Sequence, residues 1–329
     1  MSPRQVGLLA ALSAVWGGSY LLIKYALDDL EPAVIVWVRL VLAAVVLYAV
    51  MRLRGGGAEA RAAHAEMRAR PWRALLLGTV AIALPFNLIT FGELEVPSGL
   101  TAVLIAPASL FVAAFAPLID PSEKVPASAL GGMLLGLSGV ALCVGVESVH
   151  SIWAFLGALA MVGAAACYAL SSFVVKRYNG LTSVTVSFIS ILVGAVLTLP
   201  AAVATAPASF PGTRATLAMV TLGVVGTALA FVIFYKLIAE VGAGRASLVS
   251  YLAPGVALLY GALLLDEEIT PAAIGGLALI LGGVALASRR HGPDPVAERA
   301  RVPRRGPELA RSEPPPRERG ENSATSASR

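Results

Sequence analysis

The sequence is short of charge and of the residues that carry most enzyme chemistry. Asp, Glu, Lys and Arg make up 14% of its 329 residues, against 57% hydrophobic residues, and the mean hydropathy is +0.79. A soluble domain needs more charge than this to cover its surface. The two cysteines, Cys143 and Cys167, both lie inside apolar stretches. They offer neither a disulfide framework nor metal-ligand spacing, and read as small hydrophobes. His64, His150 and His291 fall in predicted loops or in the C-terminal tail, and no aspartate lies inside an apolar block. The motifs H-E-x-x-H, G-x-S-x-G and G-x-x-x-x-G-K-[ST] are absent. Metal hydrolysis, membrane serine or aspartyl proteolysis and self-contained ATP hydrolysis thus have no candidate residues. The sequence implies no enzyme, no metal and no cofactor.

What is present is a series of apolar blocks, each near the length of about 20 residues that spans a bilayer. They run approximately over 5–27, 32–51, 72–91, 97–118, 126–146, 151–175, 183–204, 214–238, 245–265 and 271–288. The first is too long for a signal-peptide core and carries Trp16, Tyr20 and Lys24, so it reads as a membrane helix. The expected fold is an all-α integral membrane protein with ten transmembrane helices in the plasma membrane, and its immediate partner is the lipid bilayer. Residues 289–329, rich in Pro, Arg, Glu and Ser, cannot bury a core and are expected to form a disordered cytoplasmic tail.

The formal net charge of +5 is spread over short loops rather than gathered on a folded surface, which argues against a nucleic-acid partner. It matches the way membrane topology is written in Lys and Arg. With the N-terminus in the cytoplasm, the cytoplasmic loops hold Arg52, Arg54, Arg61, Arg68, Arg70, Arg73, Lys124, Lys176, Arg177 and Arg245, and the tail begins with Arg289 and Arg290. The opposite side holds Asp28, Asp29, Glu31, Glu93, Glu95, Glu147, Asp266 and Glu267, with Arg214 as its clear cation. Both termini are therefore expected in the cytoplasm.

The blocks repeat. The fifth reads EKVPASALGGMLLGLSGVAL from Glu123 and the tenth EEITPAAIGGLALILGGVAL from Glu267. WGGSYLLIKY from Trp16 matches YALSSFVVKR from Tyr168; Leu77-Gly78, Leu84 and Phe86 match Leu222-Gly223, Leu229 and Phe231; Glu95, Gly99 and Pro107 match Glu240, Gly244 and Pro254. The order is collinear across five blocks. Because five is odd, the second copy enters the membrane from the other face. Residues 5–146 and 151–288 thus form two inverted five-helix repeats, a plan used for alternating access around a site near the bilayer centre.

The Trp-Gly-Gly-Ser of the first block with Lys24, then Arg39, the stretch from Glu95 to Pro107, and the duplicated E-x-x-P…GG…GVAL ending resemble the EamA-type branch of the drug/metabolite transporter superfamily. The resemblance covers residues 5–288. It implies a ten-helix secondary transporter that moves a small metabolite, amino acid or drug, often outward. Two positions depart from internal symmetry: Ile189 stands where Arg39 would recur, and Ala230 where Pro85 would. A non-transporting membrane sensor or assembly protein, and an importer of the same fold, are the competing readings. Oligomeric state, substrate and energy source stay open, with protons a candidate coupling ion.

The candidate substrate-binding residues are the polar, aromatic and proline positions deep in the blocks: Trp16, Ser19, Asn87, Pro107, Tyr168, Ser171, Thr227, Tyr235, Tyr251 and Pro254. Pro107 and Pro254 sit at matching depth. Each ring removes a backbone hydrogen bond and displaces the carbonyl four residues earlier, Val103 or Ser250, exposing it to a cavity; a plain kink is the competing reading. Arg39 lies inside the second block, where an arginine costs roughly 3 kcal/mol. It is expected either to attract an anionic group or pair with a gate carboxylate such as Glu95, or to snorkel to the outer surface or make a fixed structural pair. Glu95 and Glu240, at opposite faces, are gate candidates with loop charge as the alternative. Lys24 and Lys176 suit snorkelling. Glu123 and Glu268 suit first-turn acids ahead of Pro126 and Pro271.

Overall fold

A computed structural model describes residues 1–54, 57–119, 127–147, 151–175, 177–178, 180–241 and 248–288. All regular structure among these residues is helical. The helices are α1 (Pro3–Leu27), α2 (Pro32–Leu53), α3 (Ala58–Ala69), α4 (Pro71–Gly92), α5 (Ser98–Ile119), α6 (Ala127–Glu147), α7 (Ile152–Val175), α8 (Ser183–Ala204), α9 (213–241), α10 (Val249–Leu264) and α11 (Pro271–Ser288). Seven of them, α1, α2, α4, α5, α7, α8 and the 213–234 part of α9, are long and apolar enough to cross a membrane. Three shorter apolar stretches lie in α6, α10 and α11. The predicted tail, Lys124, Lys176, Arg245, Glu123 and Pro126 lie outside the described residues.

Helix starts follow local chemistry. Ser2 and Gln5 form a reciprocal capping box ahead of α1. Proline opens α1, α2, α4 and α11, where its missing N–H costs nothing. At α11 the Thr270 hydroxyl accepts from the Ala273 N–H at 3.1 Å. Glu268 lies outside that helix, so the first-turn role expected for it is not what it does.

Three departures from regular α-helix bear on the site. At Ala106–Pro107, α5 breaks into two pieces, Ser98–Ile105 and Ala108–Ile119. The Val103 carbonyl is not left open, because it accepts from the Ala106 N–H at 3.2 Å. Pro254, by contrast, sits inside an unbroken α10. The matched prolines therefore have different backbones. The third departure is duplicated: π-helical turns at Thr79–Ala83 in α4 and Val224–Leu229 in α9 begin directly after the paired glycines Gly78 and Gly223. Such turns are rare and cluster at functional sites.

Residues 58–69, read from sequence as part of an arginine-rich loop, form the amphipathic helix α3, which packs on α2, α4 and α8 through a face containing Ala60 and Ala63. Its alanine-rich buried stripe is too weakly apolar to stand out beside Arg61 and Arg68.

Packing across the chain is paired. α2 packs on α8, α5 on α10 and α6 on α11. α1 packs on α10 and α9, and α7 on α5 and α4. Gly78 of α4 meets Val193 of α8, while Gly223 of α9 meets Leu42 of α2. The α6–α11 contact is the closest: a Cβ on Gly139 would lie 2.6 Å from the Gly276 carbonyl oxygen, and Gly132 and Gly283 face each other's carbonyls. Small residues allow this approach where lipid supplies no hydrophobic drive between helices. Two large buried clusters form the core, one around Ile23, Val103 and Met161, the other around Leu40, Leu77 and Ile189.

Candidate functional site

Arg39 is the centre of the site. Only 8% of it is exposed. Its Nε donates to Thr227 Oγ1 at 2.7 Å, and its guanidinium lies over the Phe86 ring at 4.3 Å. Phe86 belongs to α4 and Thr227 to the π turn of α9, so one side chain from α2 touches helices from both halves of the chain. A desolvated cation–π contact contributes about 2 kcal/mol, and a hydrogen bond from a charged group about 1.5–3 kcal/mol. Together these offset the roughly 3 kcal/mol insertion cost of a central arginine. Thr227 is held in turn, because its hydroxyl donates to the Leu222 carbonyl at 2.9 Å, five residues back, as the π turn allows. Tyr20 and Tyr168 lie within electrostatic range of Arg39. Among the described residues no carboxylate forms an ion pair with Arg39; Arg70 pairs with Glu66 at the other end.

A second polar group gathers at the ends of the helices that carry the acidic loops. Lys24 Nζ donates to the backbone carbonyl of Glu93, directly after α4. The Glu93 side chain is fully buried, and neither carboxylate oxygen has a hydrogen-bond partner. Glu267 reaches across to the start of α5, accepting from Ser98 N at 2.8 Å, Ser98 Oγ at 2.9 Å and Gly99 N at 3.1 Å. Here a carboxylate from the α10–α11 connection caps the start of α5 and meets the positive end of its dipole. Beside these groups an open cleft of about 330 Å³ is lined by Lys24, Tyr25, Asp28, Arg214, Leu265 and Glu267. The Arg214 guanidinium stacks on Tyr25 at 3.7 Å, and Asp29 Oδ2 accepts from Gly212 N at 2.7 Å.

At the arginine-rich end, Arg73 Nη1 donates to the Arg177 carbonyl at 3.5 Å. Burial pushes the neighbouring Tyr178 phenol up to about 12, helped by Glu66 and opposed by Arg73.

The structure brings some expected residues together and separates others. Thr227 touches Arg39 and Tyr168 lies near it. Trp16 packs instead against Phe231 and Phe234 of α9, with ring centroids 6.2 and 5.1 Å away. Ser19 and Ser171 donate to their own helices, at Val15 and Tyr168 carbonyls, and Asn87 donates to the Ala83 carbonyl at the end of the α4 π turn. Tyr251 packs near Leu110 and Val284. For Tyr235 only the backbone, within α9, is described. The suggested Arg39–Glu95 pair does not form: Glu95 is exposed in the turn after α4, and Arg39 is satisfied elsewhere. Glu240 is exposed and accepts from Gln5 Nε2 at 3.5 Å. Lys24 points to a carbonyl rather than to solvent. Glu93, Glu267, Phe86 and Tyr20 were not among the expected site residues. Phe86, matched with Phe231 and set beside Pro85 in the repeat, carried the signal that would have found it.

The sequence profile of the EamA-like transporter family matches the chain twice, over residues 5–145 and 155–289. The inner membrane transporter YedA of Escherichia coli is 26% identical over 285 residues, covering 85% of this chain and 89% of its own. YoaV, a transporter of Bacillus subtilis, is 24% identical over 84% of this chain and 94% of its own. A protein of Streptantibioticus cattleyicolor named "Probable terminal-alkyne amino-acid exporter" is 29% identical over 87% of this chain and 94% of its own. A crystal structure with 19% identity superposes with a TM-score of 0.61, over 92% of this chain and all of that one, which bears on the fold alone.

Proposed function

Because the chain belongs to the EamA-like transporter family, we propose that this membrane transporter is a secondary exporter of a small metabolite, amino acid or drug carrying an anionic group, working by alternating access. The observation that carries the reading is Arg39, a buried cation with no acid partner among the described residues, held by one residue from each repeat. A planar guanidinium in a dry bundle is suited to a carboxylate. Contacts to Phe86 and Thr227 fix its orientation, and Tyr20 and Tyr168 supply aromatic walls with hydroxyl groups, as small-molecule sites do. The name of the Streptantibioticus relative favours the amino-acid class.

The working unit in this reading is ten spans in two inverted repeats, residues 5–146 and 151–288, with both termini cytoplasmic. The double profile match, the mirrored helix contacts and the duplicated π turns support it. A movement of one repeat against the other alters the Arg39–Thr227 contact, so the cation reports which way the site faces.

The test is counterflow in proteoliposomes holding the purified full-length chain, with a panel of labelled neutral and acidic L-amino acids. Saturable exchange is expected for at least one, with an Arg39→Gln variant losing about 10- to 100-fold in efficiency, as removal of a charged hydrogen bond predicts. Equal exchange by wild type and Arg39→Gln would sink the assignment of Arg39.

A further inference from the structure

Glu93 has no use in the site just described, yet it is the most deeply buried of the described acids. It is fully buried, with both carboxylate oxygens unpartnered. One turn earlier on α4, the Thr90 hydroxyl is also buried without a partner. An ionised carboxylate so placed loses its hydration and gains no hydrogen bond, a penalty that a bound proton removes.

The charged and titratable groups around it come from several elements. α1 contributes Lys24 and Tyr20, α2 contributes Arg39, and the α10–α11 connection contributes Glu267. α7, packed on α4, carries Tyr168 and Cys167. Glu95, on the same turn, is exposed. Two cations near a buried acid would ordinarily hold it ionised in an ion pair. Neither does: Lys24 is turned to the Glu93 backbone carbonyl, and Arg39 to Thr227 and Phe86. Glu267 is satisfied by Ser98 and Gly99.

We propose that Glu93 is the proton-binding site of this transporter: its carboxyl holds one proton while Lys24 is bound to the Glu93 backbone carbonyl, and exchanges it when Lys24 leaves that carbonyl. On losing the proton the carboxylate takes the Lys24 ammonium as its partner. Lys24 thereby leaves the Glu93 carbonyl that ties α1 to α4. One O–H bond breaks, one proton passes to solvent, and one ion pair forms. Proton occupancy is thus linked to which Glu93 oxygen Lys24 of α1 holds, and so to how α1 and α4 meet at this end, which gives a proton gradient a conformation to bias. The inference rests on the transporter reading above.

Two measurements on the purified full-length chain separate the two ideas. Infrared difference spectra of wild type during a pH titration are expected to show a protonated-carboxyl C=O band at neutral pH, absent in Glu93→Gln and kept in Glu95→Gln. In proteoliposomes with the labelled amino-acid panel, Glu93→Gln is expected to keep counterflow within about 2-fold and to lose all stimulation by an imposed pH gradient. Glu93→Asp, which keeps the proton, restores part of it. The proposal is overturned by an unchanged carboxyl band in Glu93→Gln, or by pH-gradient stimulation that survives in that variant or is missing in wild type. Absence of counterflow for the whole panel in wild type would instead strike the amino-acid reading, and the infrared band would still decide the proton site.

Discussion

Replacing Thr227 with valine tests the site geometry without needing a substrate. Valine has nearly the shape of threonine, so the close packing of the α9 π turn survives and only the hydroxyl goes. That hydroxyl accepts the Arg39 Nε hydrogen bond at 2.7 Å and donates to Leu222 at 2.9 Å. Removing it leaves a buried cationic donor and a carbonyl without their partner. The penalty for the donor is about 1.5–3 kcal/mol. At roughly 2–4 °C per kcal/mol for a fold of this size, the melting temperature should fall by about 3–12 °C. The assay is thermal unfolding in detergent, followed by a thiol-reactive dye that reports the buried Cys143 and Cys167 as they become exposed. Thr227→Ser keeps the hydroxyl and should lie near wild type. In an Arg39→Met background there is no cation to strand, so Thr227→Val should cost much less there, with a coupling of about 1–3 kcal/mol. Thr227→Val melting with wild type, or costing the same with and without Arg39, would refute the proposed holding of the cation.

Four further variants test the glycine packing and the Glu267 cap on α5. Gly139→Leu should abolish the folded state in detergent, since a Cβ there already meets the Gly276 carbonyl oxygen at 2.6 Å. Gly255→Ala, with open space around the glycine, should leave the melting temperature unchanged or raise it, by up to about 1 kcal/mol of helix propensity. Glu267→Ala should speed amide exchange at Ser98 and Gly99 and cost about 1–2 kcal/mol as a lost helix cap, whereas Glu268→Ala should do neither.

The sequence exposed the apolar helices well because they carry a long signal: every apolar block overlaps a described helix, and seven of these helices are long and apolar enough to cross a membrane. The glycine pairs of α6 and α11 were legible for the same reason, being small residues at helical spacing inside apolar runs. α3 was missed because alanine contributes little periodic contrast. The π turns have no signature in composition, since TVAIA at Thr79–Ala83 and VVGTAL at Val224–Leu229 have the make-up of any membrane-helix stretch. Arg39 was identified from its cost alone, but its partners were not, since Thr227 lies 188 residues away and a threonine in a membrane helix usually bonds its own backbone. Glu93 was hidden by proximity to Glu95. Two acids two positions apart beyond a helix end look alike in sequence, yet the turn after α4 sets Glu93 into the bundle and Glu95 into solvent.

The duplicated π turns have a consequence for phase. A π turn holds one residue more than the α turn it replaces, and each residue of an α-helix advances the side-chain direction by about 100°. The two ends of α9 are therefore out of step with a single continuous spiral. This offset lets Thr227 face Arg39 while Phe231 and Phe234 face Trp16. Deleting one residue such as Val225 would restore an ordinary helix and swing the aromatic pair off α1 by about a quarter turn. The helix stores its aim in an extra residue rather than in a bend.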